Sequence, residues 1–330
     1  MRLHVVALPL HTRFRGLTVR ELALVETETG TETGTETGWG EWSPFTEYDA
    51  AVSAPWLACA LEAAAGDWPT PVRDAVPVNV TVPACDPETA HRIVAAGGCR
   101  TAKVKVAERG QVLADDLARV EAVRAALDAE GPGGLVRIDV NGGWSVDEAV
   151  RAIPLLDRAA GGLEYVEQPC ATVEELAAVR RRVDVPIAAD ESIRRAADPY
   201  RVRDLEAADI AVLKVQPLGG VAACLRIAED IGLPVVVSSA LESSVGIAAG
   251  VALAAALPEL PHACGLATVQ LFEADVVADP LVPVDGLLPV RPVVPDPALL
   301  ARHAAPADRV AWWTQRLAAT RAVAGPERHA

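Results

Sequence analysis

The sequence predicts an α/β fold: a β/α barrel preceded by a small α+β unit. Three observations carry this. From Pro77 onward, eight short β-rich runs alternate with helical stretches over about 200 residues. Before Pro77, two segments alternate apolar and polar side chains and one helical segment follows them. The charged residues inside the β-rich runs gather near the runs' C-terminal ends. That is the end at which barrels of this kind carry their active sites.

The elements follow in order. Residues 2–10 and 17–26 alternate as strands do. Between 27 and 38 the tetrapeptide TETG occurs three times. Its Gly and Thr suit an exposed hairpin tip without chemistry of its own. A strand near Trp39–Trp42 and helix from about Asp49 to Ala65 complete the first unit. The barrel runs are VNVTV (78–82), TAKVKV (101–106), LVRIDV (135–140), LEYVEQP (163–169), VPIAAD (185–190), IAVLKV (210–215), LPVVVSS (233–239) and HACGL (262–266). Helices are expected over 115–129, 172–182 and 221–231, with Thr172 and Glu175 as a capping box. An open doubly wound sheet is the alternative, but no GxGxxG follows the first strand. After Pro292 the chain is helical and Arg-rich through Trp312 and Trp313, and is expected to pack back on the barrel or the small unit. The expected divisions are 1–75, 76–292 and 293–330.

Composition excludes several classes. At 51% hydrophobic the chain of 330 residues is not disordered. With 45 acidic and 30 basic residues and no basic stripe, it is a poor binder of nucleic acid. The longest apolar run, Val245 to Leu257, is too short for a membrane span and reads as a buried helix. The start, MRLHVVALPLHTRF, lacks a signal-peptide core, so a cytoplasmic protein is expected. Six Cys without a CxxC pair read as small buried thiols, Cys170 among them.

Only three of the 30 basic residues are Lys: Lys103, Lys105 and Lys214. All three fall in predicted strands, where Lys is disfavoured. In TAKVKV, Ala102, Val104 and Val106 share one face and the two lysines the other. A barrel strand's outer face packs on helices, so the lysines point inward. By the same alternation Arg137 and Asp139 face inward in LVRIDV. From Lys105 the next charged strand ends follow at intervals of 34, 28, 23 and 24 residues: Asp139, Glu167, Asp190 and Lys214. Each interval is about one βα unit.

Three converging carboxylates repel one another unless paired or protonated. A hard divalent cation on oxygen ligands, Mg²⁺ or Mn²⁺, solves this; zinc fits less well, because no His or Cys joins the set. The other solution is a set of internal salt bridges with Arg137 and the lysines. It balances charge but leaves the position of all five groups at strand ends unexplained. A lysine can lose its proton in a crowded cationic site, whereas Arg cannot. Lys103 is expected to lower the pKa of Lys105 by repulsion.

The ordered motifs KVK (103–105), DVNGGW (139–144), VEQP (166–169), AADES (188–192) and VLKV (212–215) resemble the enolase superfamily, muconate-lactonising-enzyme subgroup. The resemblance covers nearly the whole chain. It implies a modified TIM barrel, (β/α)7β, with a small N-terminal α+β capping domain. Within the subgroup the chain is most similar to the o-succinylbenzoate synthases of actinobacterial type, through SSALESS (238–244) and the FRG of Phe14–Gly16. That implies syn dehydration of 2-succinyl-6-hydroxy-2,4-cyclohexadiene-1-carboxylate to 2-succinylbenzoate in menaquinone synthesis. The resemblance implies Mg²⁺ (or Mn²⁺) on Asp139, Glu167 and Asp190, with Lys105 removing the α-proton and Lys214 stabilising the enediolate. Either Lys105 alone or both lysines serve as acid and base. Asn141 and Glu191 are expected to orient ligands and lysines, and Ser238, Ser239 and Gly265 to surround the substrate.

Some positions depart from the family's pattern. Ala267 and Gln168 stand where relatives often carry acids, and the TETG repeat belongs to no family pattern. Arg13 and Arg15 read as surface residues rather than substrate contacts. The expected partner is a small anionic substrate, with no nucleic acid or membrane, and a monomer is preferred over a homo-oligomer. An N-succinylamino acid racemase or dipeptide epimerase would use the same motifs. A non-catalytic, metal-stabilised binding protein is the remaining alternative.

Overall fold

The computed structural model describes residues 1–31, 34–196 and 198–324. Strands Arg2–Phe14 and Leu17–Thr31 pair antiparallel from Arg2↔Glu26 to Phe14↔Leu17. Arg15 and Gly16 turn the chain between them with φ of 50° and 78°, the two positive values a tight hairpin turn requires. A third strand, Gly34–Glu41, pairs with the second from Leu24↔Glu41 to Thr31↔Gly34. Most of the TETG repeat is therefore paired strand rather than loop, with Thr at every second position, as β-ladders favour. Residues 32 and 33 lie outside the described residues.

Helix Ala50–Ala65 closes this sheet, its N-terminus capped by Asp49, whose side chain accepts from the Val52 amide at 2.9 Å. Gly40 allows the close approach: a Cβ there would overlap the Ala60 carbonyl of the helix. Gly40→Ala is expected to lower stability by about 2–4 kcal/mol, because backbone rather than a pliable side chain must move. Urea unfolding checks this.

The barrel is a parallel sheet of seven strands, Val80–Val82, Thr101–Lys105, Leu135–Asp139, Leu163–Glu167, Ile187–Ala189, Ile210–Lys214 and Val235–Ser238, neighbours in that order. The expected eighth strand, HACGL, is reduced to two parallel bridges, Val78↔Cys264 and Ser238↔Gly265. Gly265 weakens strand pairing, and a 3₁₀ turn starts at Ala267. In the predicted run VNVTV, Val80–Val82 forms the strand and Val78 bridges Cys264. Just before it, Ala75–Pro77 pairs antiparallel with Leu287–Pro289 outside the barrel sheet.

The helices form as their local signals dictate. Leu113–Ala129, Val173–Arg180 and Val221–Ile231 stand at the expected places, and Thr172 and Glu175 form the capping box. Helix Ser244–Ala256 is buried along nearly its whole length. Among the described residues no helix is long and apolar enough to cross a membrane.

Alternation decides what fills the barrel. Outward residues such as Ala102, Val104, Ile138 and Val166 join the large apolar core beneath the helices. Inward, Tyr165, Ala188, Ile210, Val212 and Val236 form a plug. Arg137 lies with this plug, not with the carboxylates above it. It donates to Tyr165 Oη at 2.9 Å and the Ala263 carbonyl at 2.7 Å, and pairs with Glu164. The expected alternative of Arg137 as counter-ion to the three acids is thereby corrected.

The C-terminal helix Ala307–Ala324 packs on the N-terminal unit. Trp313 and Leu317 join Val5, Trp42, Trp56 and Leu57 in one apolar cluster. All six cysteines are free thiols. Cys170 is fully buried, and burial pushes its thiol up to about 12, which suits a packing residue rather than a nucleophile.

Candidate active site

The parallel register builds the site. Lys105 pairs with Asp139, and Asp139 with Glu167, on neighbouring strands. Equivalent positions on neighbouring strands point to the same face, so these side chains converge inside the barrel. Asp190 follows two residues after Ala188, which is Glu167's partner. Lys105 and Lys214 come from the strands on either side of the three carboxylate-bearing ones, and so flank them. The three carboxylates are wholly buried.

Gln168 secures the Asp190 loop. Its Oε1 accepts from the amides of Asp190 and Ser192 at 3.0 and 3.1 Å, while its Nε2 donates to Ser192 Oγ at 2.7 Å and the Cys170 carbonyl at 2.9 Å. An ionised Glu offers no donor and could not make the latter two bonds. That is a physical reason for Gln at this departure from the family's pattern.

Each carboxylate meets an ammonium. Lys103 Nζ lies 2.9 Å from Glu167 and 3.3 Å from Asp139. Lys105 Nζ lies 2.5 Å from Asp139 and donates to Asn141 Oδ1 at 2.7 Å. Lys214 Nζ lies 2.6 Å from Asp190, which also pairs with Arg194 at 2.7 Å. Asn141 Nδ2 donates to Glu191 Oε1 at 3.3 Å, and Arg194 pairs with that same carboxylate. Asn141 and Glu191 thus border the lysine end of the network. Arg194 was not singled out in the sequence, although its spacing of four from Asp190 within a short helix is a legible signal.

The two neighbouring lysines differ in electrostatics. Burial disfavours the Lys103 ammonium, but the Glu167 and Asp139 carboxylates outweigh it and hold its pKa above the ordinary lysine value. Burial lowers the pKa of Lys105; Asp139 opposes this and the Lys103 charge adds to it. Burial is therefore the larger cause, with the expected repulsion from Lys103 a smaller contribution. Burial and the nearby Asp139 push Glu167 up to about 7.

Above this floor is a cavity of about 340 Å³. Lys103, Lys105, Lys214, Asn141 and Glu191 line its base; the three carboxylates lie beneath. Ser238, Ser239 and Gly265 line one side, with Ala240, Leu241 and Thr268. Ser239 Oγ donates to the Gly265 carbonyl at 2.7 Å, and a Cβ on Gly265 would lie 2.7 Å from Ser238 Oγ. The absent side chain keeps this wall open. The N-terminal unit supplies the opposite wall: Phe14, Arg15, Phe45, Tyr48 and Trp56. Arg15 is exposed, as the surface reading expects, and it also lines the cavity, its guanidinium 4.1 Å from the Phe45 ring centroid. Arg13 instead donates to the Gly16 carbonyl within its own exposed turn.

Buried residues of the N-terminal unit also hold the SSALESS segment. Glu41 Oε2 accepts from the Ser243 amide at 3.0 Å, and Arg20 donates to the Leu241 carbonyl at 3.3 Å. These contacts were missed in the sequence. Arg20 alternates with Leu22 and Leu24, and a charge on that apolar face was the available signal.

The amino-acid sequence matches two family models, described as enolase N-terminal domain-like over residues 5–64 and enolase C-terminal domain-like over residues 87–296. The chain belongs to the enolase superfamily. Among relatives in this superfamily is an o-succinylbenzoate synthase of Thermobifida fusca, 66% identical over 96% of this chain and 95% of that one. Another, of Mycolicibacterium smegmatis, is 60% identical over 98% and 96%. Solved enolase-superfamily structures share the fold at lower identity. The L-Ala-D/L-Glu epimerase of Bacillus subtilis superposes with a TM-score of 0.75 at 23% identity, covering 89% of this chain and 96% of that one. The N-succinyl Arg/Lys racemase of Bacillus cereus gives 0.76 at 20%, covering 92% and 97%.

Proposed function

We propose that this enolase-superfamily chain is an o-succinylbenzoate synthase. It is a lyase that removes water by syn elimination from 2-succinyl-6-hydroxy-2,4-cyclohexadiene-1-carboxylate to give 2-succinylbenzoate, a step of menaquinone biosynthesis. The supporting observation is near-full-length identity of 66% and 60% to proteins of that name. Racemase and epimerase neighbours share only the fold, at 20% and 23% identity.

A divalent cation fits the donor set. As the side chains stand, no group of three or more His, Cys, Asp or Glu among the described residues is arranged to hold a metal, because ammonium groups occupy the carboxylates. The cluster holds Asp139, Glu167, Asp190 and Glu191 against Lys103, Lys105, Lys214 and Arg194. Its formal charges cancel, so an anionic substrate buried above it calls for added positive charge. Three buried, oxygen-only carboxylates suit a hard cation, and Asn141 Oδ1 offers Lys105 a partner other than Asp139. Asp139, Glu167 and Asp190 are the proposed ligands, and Mg²⁺ the proposed ion with Mn²⁺ as substitute. Bound there, the cation supplies a Lewis acid for the substrate carboxylate.

The remaining chemistry belongs to the chain. Lys105 Nζ, its pKa lowered, accepts the α-proton. The electron pair moves into the carboxylate to form an enediolate, whose charge Lys214 stabilises from the opposite side. Lys105, now protonated, returns its proton to the departing hydroxyl on the same face, so water leaves and the ring becomes aromatic. Arg15 and the aromatic wall cover the ring and exclude solvent. Ser238, Ser239 and Gly265 receive the succinyl arm.

An ultraviolet assay of diene-to-arene conversion tests this reading. Turnover is expected with Mg²⁺, and a loss of about 10³-fold or more on chelation. Turnover unaffected by chelation rules out the cation. Exchange of the α-proton of an N-succinylamino acid without diene conversion establishes the racemase instead. Neither reaction supports a binding protein.

A further inference from the structure

The cavity wall formed by Phe45 and Tyr48 stands on a short non-helical segment between strand Gly34–Glu41 and helix Ala50–Ala65. One internal bond, from the Tyr48 amide to the Phe45 carbonyl at 3.0 Å, ties the turn. The other carbonyl partners come from the far end of the chain. Arg316, in helix Ala307–Ala324, donates to the Pro44 carbonyl at 3.2 Å, the Phe45 carbonyl at 2.7 Å and the Tyr48 carbonyl at 2.8 Å. It also donates to Ser53 Oγ at 3.0 Å. Its guanidinium lies 5.0 Å from the Trp313 ring and 5.1 Å from that of Trp312. The helix itself is fastened by Glu21, which accepts from Arg309 at 2.7 Å and from Trp313 Nε1 at 2.8 Å.

We infer that Arg316 is a positioning residue for the substrate: it sets the aromatic wall of the active site by holding three carbonyls of the Pro44–Tyr48 turn, those of Pro44, Phe45 and Tyr48. Phe45 in turn carries Arg15 on its ring face at 4.1 Å, so the same bonds help place this cavity-lining cation as well as the apolar wall. A planar fork of donors spanning several acceptors while stacked on indole rings belongs to Arg. Lys keeps the charge but concentrates its donors at one point and loses the stacking. Arg316 touches neither the lysines nor the carboxylates of the barrel floor. Its contribution falls on substrate binding and leaves the proton transfers alone.

The inference rests on the proposed synthase reaction for its kinetic arm only. Arg316→Lys is expected to raise KM about tenfold with kcat within twofold of the original, as loss of binding shared by ground and transition states requires. Hydrogen–deuterium exchange is expected to quicken at residues 44–49 while the barrel strands keep their protection. Arg316→Ala should show both effects more strongly. An unchanged KM with unchanged exchange at 44–49 overturns the inference, as does a kcat loss equal to the rise in KM. If the unsubstituted protein does not convert the diene, the functional reading fails. Local exchange at 44–49 then decides the role of Arg316 by itself.

Discussion

Lys105→Arg is expected to abolish turnover while leaving the protein folded. The substituted guanidinium keeps a positive charge for the buried Asp139, which pairs with Lys105 at 2.5 Å, so the ion-pair network survives. What is lost is the neutral form. Burial lowers the pKa of Lys105, and Lys103 adds to the effect, whereas Arg remains protonated in proteins. A general base contributes about 10²–10⁴-fold, and here the same nitrogen returns the proton, so kcat should fall by about 10³-fold or more. Stopped or steady-state ultraviolet assays measure the loss, and circular dichroism with thermal unfolding checks the fold. Turnover within tenfold of the original protein would remove Lys105 from the base role.

Asp139→Asn should damage both cation binding and stability. Asp139 accepts from Lys105 and lies 3.3 Å from Lys103, wholly buried. The lysines more than offset its desolvation and hold its carboxyl below the usual range. The amide retains shape but removes one negative charge, leaving the neighbouring ammonium groups under-compensated. Breaking one partner of a buried pair costs about 3 kcal/mol, measurable by urea unfolding. Affinity for Mg²⁺ should fall by about 100-fold, measurable by isothermal titration. An unchanged titration removes Asp139 from the cation site, whatever happens to stability.

The site's composition was legible because alternation is a short-range property. TAKVKV places Lys103 and Lys105 on the face opposite Val104 before any tertiary contact is known. The spacing of Asp139, Glu167, Asp190 and Lys214 by successive βα units places them at neighbouring strand ends. HACGL suits a strand by composition, yet only Cys264 and Gly265 pair, each in a single parallel bridge. Gly265 sits against Ser238, and the chain turns into a 3₁₀ helix at once. The TETG repeat does form the end of a hairpin, as its Gly and Thr suggest, but mostly as paired strand rather than loop: Thr at alternate positions supports the extended ladder.

Residue chemistry and period by themselves determined which faces of the strands look into the barrel, and therefore which charged groups could meet there. They did not determine which cation satisfies which carboxylate. Arg137 and Arg194 are both Arg near the same acids, yet one binds Glu164 beneath the carboxylate layer and the other Asp190 within it. Nor could they show that Arg15 lines the cavity or that Arg316, some 270 residues from Phe45, holds its wall. Period reports the direction of a side chain relative to its own strand or helix. Pairings between elements depend on where those elements are brought in space, and only the packing of the N-terminal unit, the barrel and the C-terminal helix decides that.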